Sequence, residues 1–478
     1  MQTDDLAYFN SEGFRNILRQ YEESAKSGHP IYMDADDLAV IADYYQYNGH
    51  PDEAEEAINL ALSYNPQAVG PLLYKAREAL THKDFDTARK YAKRIEASDM
   101  MEAIFLRGEI LICEGMVDKA DKLFQQYMEE IMSDELMDYV YNVANTYSEY
   151  AIYDKAFEWM ARSKGDNSDE FKELMACTLF GLGKYQDSER IFNELIDHNP
   201  YSTRYWNALA NAQFMQEDYC SAITSSEYAI AIDPNDAEGL MSKANSLYNL
   251  ENYDEALTYF KRYSEKMPDD EFGYLHQGMC LINTGKYNES TKVLLKALEL
   301  AEGGSVSPCL AEIYQELAFA YNELHQPQKA LHCIDKTNDL DCDHVSMQII
   351  RGHVLLGDHR LKEAEVCFRK AIADSDYSPH IMLRIIVSLY DNHYIRIAYM
   401  LLNNLLKHAD EDWKDGYSYM ALCCLEMEKN NEFLYYLKLG CEKSPKEARM
   451  VLGNYFPANL EPKDYYDYTI NKIRKEAK

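Results

Sequence analysis

The chain has 478 residues with 48 Lys and Arg against 81 Asp and Glu, a formal charge of −33. With no Lys/Arg-rich stripe in it, such a chain repels phosphate backbones and anionic lipid, which excludes nucleic acid and membrane surfaces and favours a basic partner; a solvated acidic surface explains the charge without any partner. A hydrophobic content of 47% rules out general disorder, and only 20 Gly and 13 Pro argue for long helices over a loop-rich or all-β chain.

Residues 1–10, MQTDDLAYFN, have neither the basic nor the apolar region of a secretory signal, and no stretch reaches the ~18 apolar residues of a membrane span. The eleven cysteines form no C-x-x-C pair, which suits reduced thiols, and cytoplasmic residence is the expectation. Residues 14–25, FRNILRQYEESA, predict one amphipathic helix, after which Asp34, Asp36 and Asp37 read as helix-capping acids. In residues 35–66, Leu38, Ile41, Ala42 and Tyr45 keep helical spacing, Gly49 and Pro51 break the chain, and Ala54, Ile58 and Ala61 resume the period. That is a pair of helices joined by a tight turn. The same skeleton returns at 203–234 and 237–268, offset by 34 residues.

A skeleton of this period resembles the tetratricopeptide family, whose pattern is W-x2-L-G-x2-Y, then A-x3-F, then P. The small residue of the first helix runs Ala42, Ala76, Gly108, Ala144, Ala176, Ala210, Ala244, Gly278, Ala318, Gly352, Ile386 and Ala421, with gaps of 34, 32, 36, 32, 34, 34, 34, 40, 34, 34 and 35. That of the second helix runs Ala54, Ala88, Ala120, Ala156, Ser188, Ala222, Ala256, Ser290, Ala330, Ala364, Ala398 and Phe433. The expected fold is all-α: a right-handed superhelical α-solenoid of about twelve helix–turn–helix repeats with helical caps. Its parts are an N-terminal capping helix (1–34), repeats 1–8 (35–302), a loop or bend around Gly303-Gly304 (303–310), repeats 9–12 (311–445) and C-terminal capping helices (446–478). The last two repeats are irregular: Ile386 stands where a small residue belongs, Ile397 and Ala398 compete for the second crossing, and Phe433 replaces Ala.

The chain has no G-x-S-x-G, H-E-x-x-H, G-x-x-x-x-G-K-[ST] or G-x-G-x-x-G, and no four-ligand metal spacing, so no enzyme, cofactor or metal is expected. In the family, positions 2, 5, 9, 12 and 13 of each first helix line the concave surface. The resemblance therefore selects Tyr141 and Asn145, then Arg204, Asn207, Asn211 and Phe214, then Asn245, Tyr248 and Asn249, and finally Phe272 and Asn283 as a peptide-binding groove. Recurrent Asn at one position (Asn145, Asn211, Asn245) can both donate to and accept from a peptide backbone, and the same amides can instead bond to one another or to adjacent helix ends. The carboxylate clamp of chaperone-binding relatives, Lys, two Asn, Lys and Arg, finds here Asn207, Asn211, Ser242, Phe272 and His276, so only Asn211 fits and an acidic C-terminal tail is disfavoured. The resemblance implies a non-catalytic scaffold that holds an extended or helical segment of a partner protein. The alternatives are a regulatory receptor for a small peptide or ligand and, ranked below it, an enzyme with an unrecognised site. Oligomeric state is left open.

Overall fold

A computed structural model describes residues 9, 11–27, 33–96, 99–132, 135–163, 167–303, 307–410 and 412–476, with the side chains of 25, 27 and 473–476 outside that description. Residues 1–8 and 10, read above for a targeting signal, and residues 304–306 of the expected bend lie outside the described residues. Among the described residues every regular element is helical. The chain forms two compact units, 1–217 and 218–478.

The first unit holds α1 (Glu12–Ser27), α2 (Ala35–Tyr47), α3 (Pro51–Tyr64), α4 (Val69–Thr81), α5 (Phe85–Ile95), α6 (Met100–Cys113), α7 (Val117–Met128), α8 (Leu136–Glu149), α9 (Tyr153–Met160), α10 (Asp169–Gly181), α11 (Tyr185–His198) and α12 (Thr203–Met215). The second holds α13 (Tyr219–Ile232), α14 (Ala237–Asn249), α15 (Tyr253–Lys266), α16 (Glu271–Asn283), α17 (Tyr287–Gly303), α18 (Leu310–Glu323), α19 (Pro327–Lys336), α20 (His344–Gly357), α21 (Leu361–Asp374), α22 (Pro379–Asp391), α23 (Ile395–His408), α24 (Tyr417–Glu426), α25 (Asn430–Lys443), α26 (Pro445–Leu452) and α27 (Tyr465–Glu476). Helices α2 to α11 form five of the expected pairs in the first unit and α14 to α25 six in the second, with α12 and α13 on either side of the boundary. Within each unit a helix packs on its chain neighbours, and first helices of several successive repeats also touch, so that they share one face.

The small residues sit at the helix crossings. In the first unit Ala42, Ala54, Ala76, Ala88, Ala120, Ala144, Ala156 and Ala176 have no exposed surface. Where Ser replaces Ala at the second crossing, its hydroxyl donates to the carbonyl of the small residue it faces: Ser188 to Ala176 at 2.8 Å and Ser290 to Gly278 at 2.9 Å. A hydroxyl buried this way is satisfied, so the substitution leaves no orphan polar atom. Gly108 and Gly352 mark the tightest crossings, because a β-carbon at either would fall on the ring of Phe124 or Phe368. Ala398 is fully buried and Ile397 only half-buried, which fixes the register of the eleventh repeat on Ala398. Ile386 is 3% exposed and Phe433 8%, so these bulky residues still occupy crossing positions.

The turn inside each repeat carries one residue in the left-handed region. Gly49, Gly115, Gly183 and Gly285 take it in four repeats, and Lys83, Ala151, Glu217, Glu251, His325, His359, His393 and Glu428 in the other eight. This conformation lets the third residue after the helix bond back across the turn, as Met116 N–H does to Leu111 O at 2.8 Å and Ile152 N–H to Tyr147 O at 2.8 Å. Side-chain caps begin many of the helices. Asp34 accepts from Asp36 N–H at 2.9 Å, which bears out its capping role, whereas the Asp36 carboxylate reaches the next repeat and accepts from Gly70 N–H at 3.1 Å.

The capping segments also form. Helix α1 buries Phe14 and Tyr21 in a cluster with Leu38, Ile41 and Ile58 of the first repeat. At the far end of the second unit, Glu447 of α26 is 9% exposed, and its carboxylate accepts from Gly416 N–H at 2.6 Å and Ser418 N–H at 3.0 Å, satisfying the free amides that open α24. Gly303, expected in the bend, is instead the last residue of α17, a position where glycine costs little because the helix ends there.

Two substitutions test this account by thermal melting followed by circular dichroism. Gly108→Ala is expected to lower stability by about 1–3 kcal/mol through overpacking against Phe124, despite the better helix propensity of Ala. Ala151→Gly is expected to raise it by up to ~1 kcal/mol, because glycine reaches the left-handed turn without the β-carbon penalty.

Candidate functional site

The residues selected for a groove fall in both units. In the first, Asn145 on α8 is half-buried and donates to Glu149 Oε1 at 3.1 Å, while Tyr141 stands one turn before it. On α12, Arg204 is ion-paired with Glu173 of α10, and Asn211 and Phe214 are half-buried. Asn207 is only 2% exposed and so presents almost no surface to a ligand.

In the second unit the selected residues gather more closely. Asn283 donates to Tyr248 Oη at 3.1 Å, Phe272 stacks on His276 with ring centres 3.9 Å apart, and Tyr248 meets the His276 ring edge-on at 6.5 Å. Burial pushes the Tyr248 hydroxyl up to about 12 and holds His276 below the usual imidazole range. Asn249 donates to Asn245 O at 2.9 Å and Asn283 to Met279 O at 2.9 Å, so these amides spend a donor on their own helices. Both bonds close within one helix, a turn back along it, and leave less for a peptide.

The same groove positions, followed past the eighth repeat, lead to a recess of about 630 Å3 that the sequence reading did not single out. Its walls include Phe319 of α18, Ile349, Ile350, His353 and Val354 of α20, Leu383, Val387 and Asp391 of α22, and Met450 of α26, with the charged Arg384, Asp415, Lys446 and Glu447 also lining it. Phe319 is 41% exposed and Met450 71%. His353 marks the polar end: its Nδ1 lies 2.9 Å from Ser388 Oγ and 3.3 Å from Asn392 Nδ2. Burial lowers the His353 pKa, with Asp391 and Glu323 opposing; burial raises that of Asp391, with His353 opposing. A second opening of about 660 Å3 adjoins it at His353 and takes in three of the left-handed turn residues, His325, His359 and His393.

The first unit has its own groove, formed by two openings of about 700 and 1000 Å3 that share Asp43, Gln46, Leu73, Arg77 and Thr81. Arg77 grips the buried Glu109 through Nη2 at 2.9 Å and Nε at 3.3 Å.

Residues 40–113 match a family model described as tetratricopeptide repeat. The chain is a tetratricopeptide-repeat protein. Residues 205–297 of this repeat protein also match a model described as anaphase-promoting complex, cyclosome, subunit 3. Among curated proteins it is 24% identical over 327 residues to anaphase-promoting complex subunit 3 of Schizosaccharomyces pombe, covering 66% of this chain and 48% of that one. It is 26% identical over 364 residues to a TPR repeat-containing protein of Methanocaldococcus jannaschii, covering 70% and 60%. The chain thus spans less than two thirds of the length of either relative. Among solved structures, a tetratricopeptide repeat protein from Parabacteroides merdae aligns with a TM-score of 0.42 at 14% identity, over 53% of this chain and 98% of that one. No helix among the described residues of the repeat protein is long and apolar enough to cross a membrane.

The signal that would have found the recess was available. Phe319, His353 and Val387 each follow directly the small residue of their first helix, as Asn145, Asn211 and Asn245 do. The Asn recurrence does not extend to them, and the groove residues chosen from it end at Asn283 in the eighth repeat.

One carboxyl near Tyr248 gives a pH test. Burial, with Glu312 nearby, pushes Glu316 up to about 7, so the folded repeat protein favours its neutral form. The stability that protonation contributes is present at low pH and is lost as pH rises through about 7. Glu316→Gln cannot ionise. Its melting temperature is expected to exceed that of the unaltered protein at pH 8 and to converge with it at pH 5.

Proposed function

We propose that this protein is a non-catalytic interaction scaffold whose groove face holds an extended or helical segment of a partner protein. The observation that carries the reading is the recess of the second unit, where groove positions from three successive repeats and the capping helix α26 surround one apolar hollow. An apolar hollow with a few polar groups at one end is the form in which a side chain of a partner is buried and oriented. Asn245 and Tyr248, chosen from the sequence and lying in the same unit as the recess, extend the contact under this reading, and Asn145, Asn211 and Phe214 offer a separate surface of the same kind in the first unit. The relative from S. pombe is named as a subunit of the anaphase-promoting complex, which supports a place for this chain inside a multiprotein assembly.

A receptor for a small peptide or ligand is the second reading, favoured by one observation: about 630 Å3 lies within the range of small-molecule pockets, roughly 300–1000 Å3. The length of what binds separates the two.

Proteins captured from native lysate by the full chain should be lost when the recess is made polar by Val387→Asp, with melting unchanged as the folding control. Asn211→Ala with Asn245→Ala should weaken capture further if the amides take part. A partner retained in full by Val387→Asp sinks the recess as the binding surface.

A further inference from the structure

The second helices of the last three repeats carry large apolar side chains on their solvent side. The position two residues after the small residue of each second helix is polar in the nine earlier repeats, from Glu56, Lys90 and Lys122 to Thr258, Lys292 and His332. In repeats 10 to 12 it becomes Val366 on α21, Met400 on α23 and Tyr435 on α25, exposed by 67%, 63% and 60%, with Leu401 exposed beside Met400. One exposed apolar residue is ordinary, whereas three at a single register position in successive repeats are a pattern. Helices α23 and α25 are joined on this side: Tyr399 donates to Glu432 at 2.5 Å, and Lys429 lies over the Tyr399 ring at 3.8 Å. No residue of α21, α23 or α25 lines the recess or the opening beside it, so this is a separate surface.

The charge around these side chains runs against that of the chain. Helices α21, α23 and α25 together hold seven Lys and Arg against five Asp and Glu, within a chain of net −33. Their four glutamates are all ion-paired, Glu363 with Arg360, Glu365 with Arg369, Glu432 with Lys429 and Glu442 with Lys438. Lys362 and Lys370 lie one turn on either side of Val366, and Arg396 one turn before Met400; these three cations have no ion-pair partner among the described residues. With a screening length of about 8 Å at physiological salt, such local charges outweigh the distant acidic bulk.

We infer that the outer face of α21, α23 and α25 is a docking surface for an acidic amphipathic helix of a partner protein, its apolar side chains lying on Val366, Met400 and Tyr435 and its carboxylates meeting Lys362, Lys370 and Arg396. Charge complementarity selects the occupant: a basic segment meets three uncompensated cations, and an uncharged one gains nothing from them. This all-helical face offers no free strand edge, so a partner meets it through side chains, which a helix presents in one stripe. The surface goes beyond the groove reading and does not depend on it.

The test uses the full chain and a fluorescein-labelled synthetic helix of Glu and Leu, with Leu at i, i+3, i+4 and i+7, read by fluorescence anisotropy. The same helix with Ser in place of Leu is the probe without an apolar face. The Leu helix is expected to bind and the Ser helix not. Met400→Ser with Tyr435→Ser, and separately Lys362→Glu with Arg396→Glu, should each weaken binding about tenfold with melting unchanged. The exposed pair Lys261→Glu with Lys292→Glu makes the same change of charge on repeats 7 and 8 and should leave binding as it was. Equal weakening by the two charge pairs would show attraction to bulk charge and overturn the docking surface. So would sedimentation of the chain as a dimer that Met400→Ser dissolves, or attachment to phosphatidylserine vesicles that the same variant loses. Val387→Asp separates this face from the recess. If it abolishes capture from lysate while the Leu helix still binds, both surfaces stand; if it abolishes binding of the Leu helix, that helix sits in the recess and the outer face is refuted. If the Leu helix fails to bind the unaltered chain and Val387→Asp still abolishes capture, the outer face is refuted and the scaffold reading stands.

Discussion

Two helices can cross closely only where neither puts a large side chain between the backbones, and everything else in this chain follows from meeting that constraint once per repeat. Ala, Gly or Ser occupies most of the crossings. The space they leave at the glycines is taken from the side by Phe124 at Gly108, Leu294 at Gly278 and Phe368 at Gly352, so each glycine is tied to a particular side chain. At Ser188 and Ser290 the polar atom is absorbed by the backbone of the facing helix, and close approach is kept. Because each pair leaves an apolar face uncovered, it is completed by its neighbours, and the first helices are brought side by side. The groove face is a by-product of that packing. Its side chains are released from the crossing and free to vary.

This division explains what could be read from the sequence. The crossing residues repeat because geometry forbids alternatives, and so the helix pairs, the N-terminal helix (read over 14–25, found over 12–27) and the second-helix register outside the eleventh repeat were legible from spacing. The turns were only partly legible. Glycine announces the left-handed residue at Gly49 or Gly115, whereas Lys83, Ala151 and His359 adopt it because the closed bonds across the turn outweigh the strain, and nothing in those residue types says so. The compact units, meeting at 217 and 218, were hidden as well, since the period runs through that boundary unbroken.

The groove was harder still. A recurring Asn marks a position but not where its amide points, and Asn249 and Asn283 turn one donor back to a carbonyl one helical turn before them. The recess of repeats 9 to 11 is made of Phe, Ile, His, Leu and Val, a set without a common residue type. It exists only as a shape. Charge was legible in total and not in distribution: the value of −33 is a property of the whole chain, while Lys362, Lys370 and Arg396 go without an ion-pair partner because of where the carboxylates fold.

Glu447 carries a consequence for how such a stack comes apart. A linear array has no single core, so its weakest points are its terminal faces, from which unravelling spreads inward one unit at a time. By closing the open amides ahead of α24 with a buried carboxylate, α26 converts a fraying edge into a latched one. Disassembly of the second unit then has to start by withdrawing a charge that is already bonded twice, and the hollow that α26 walls through Met450 inherits the persistence of that latch.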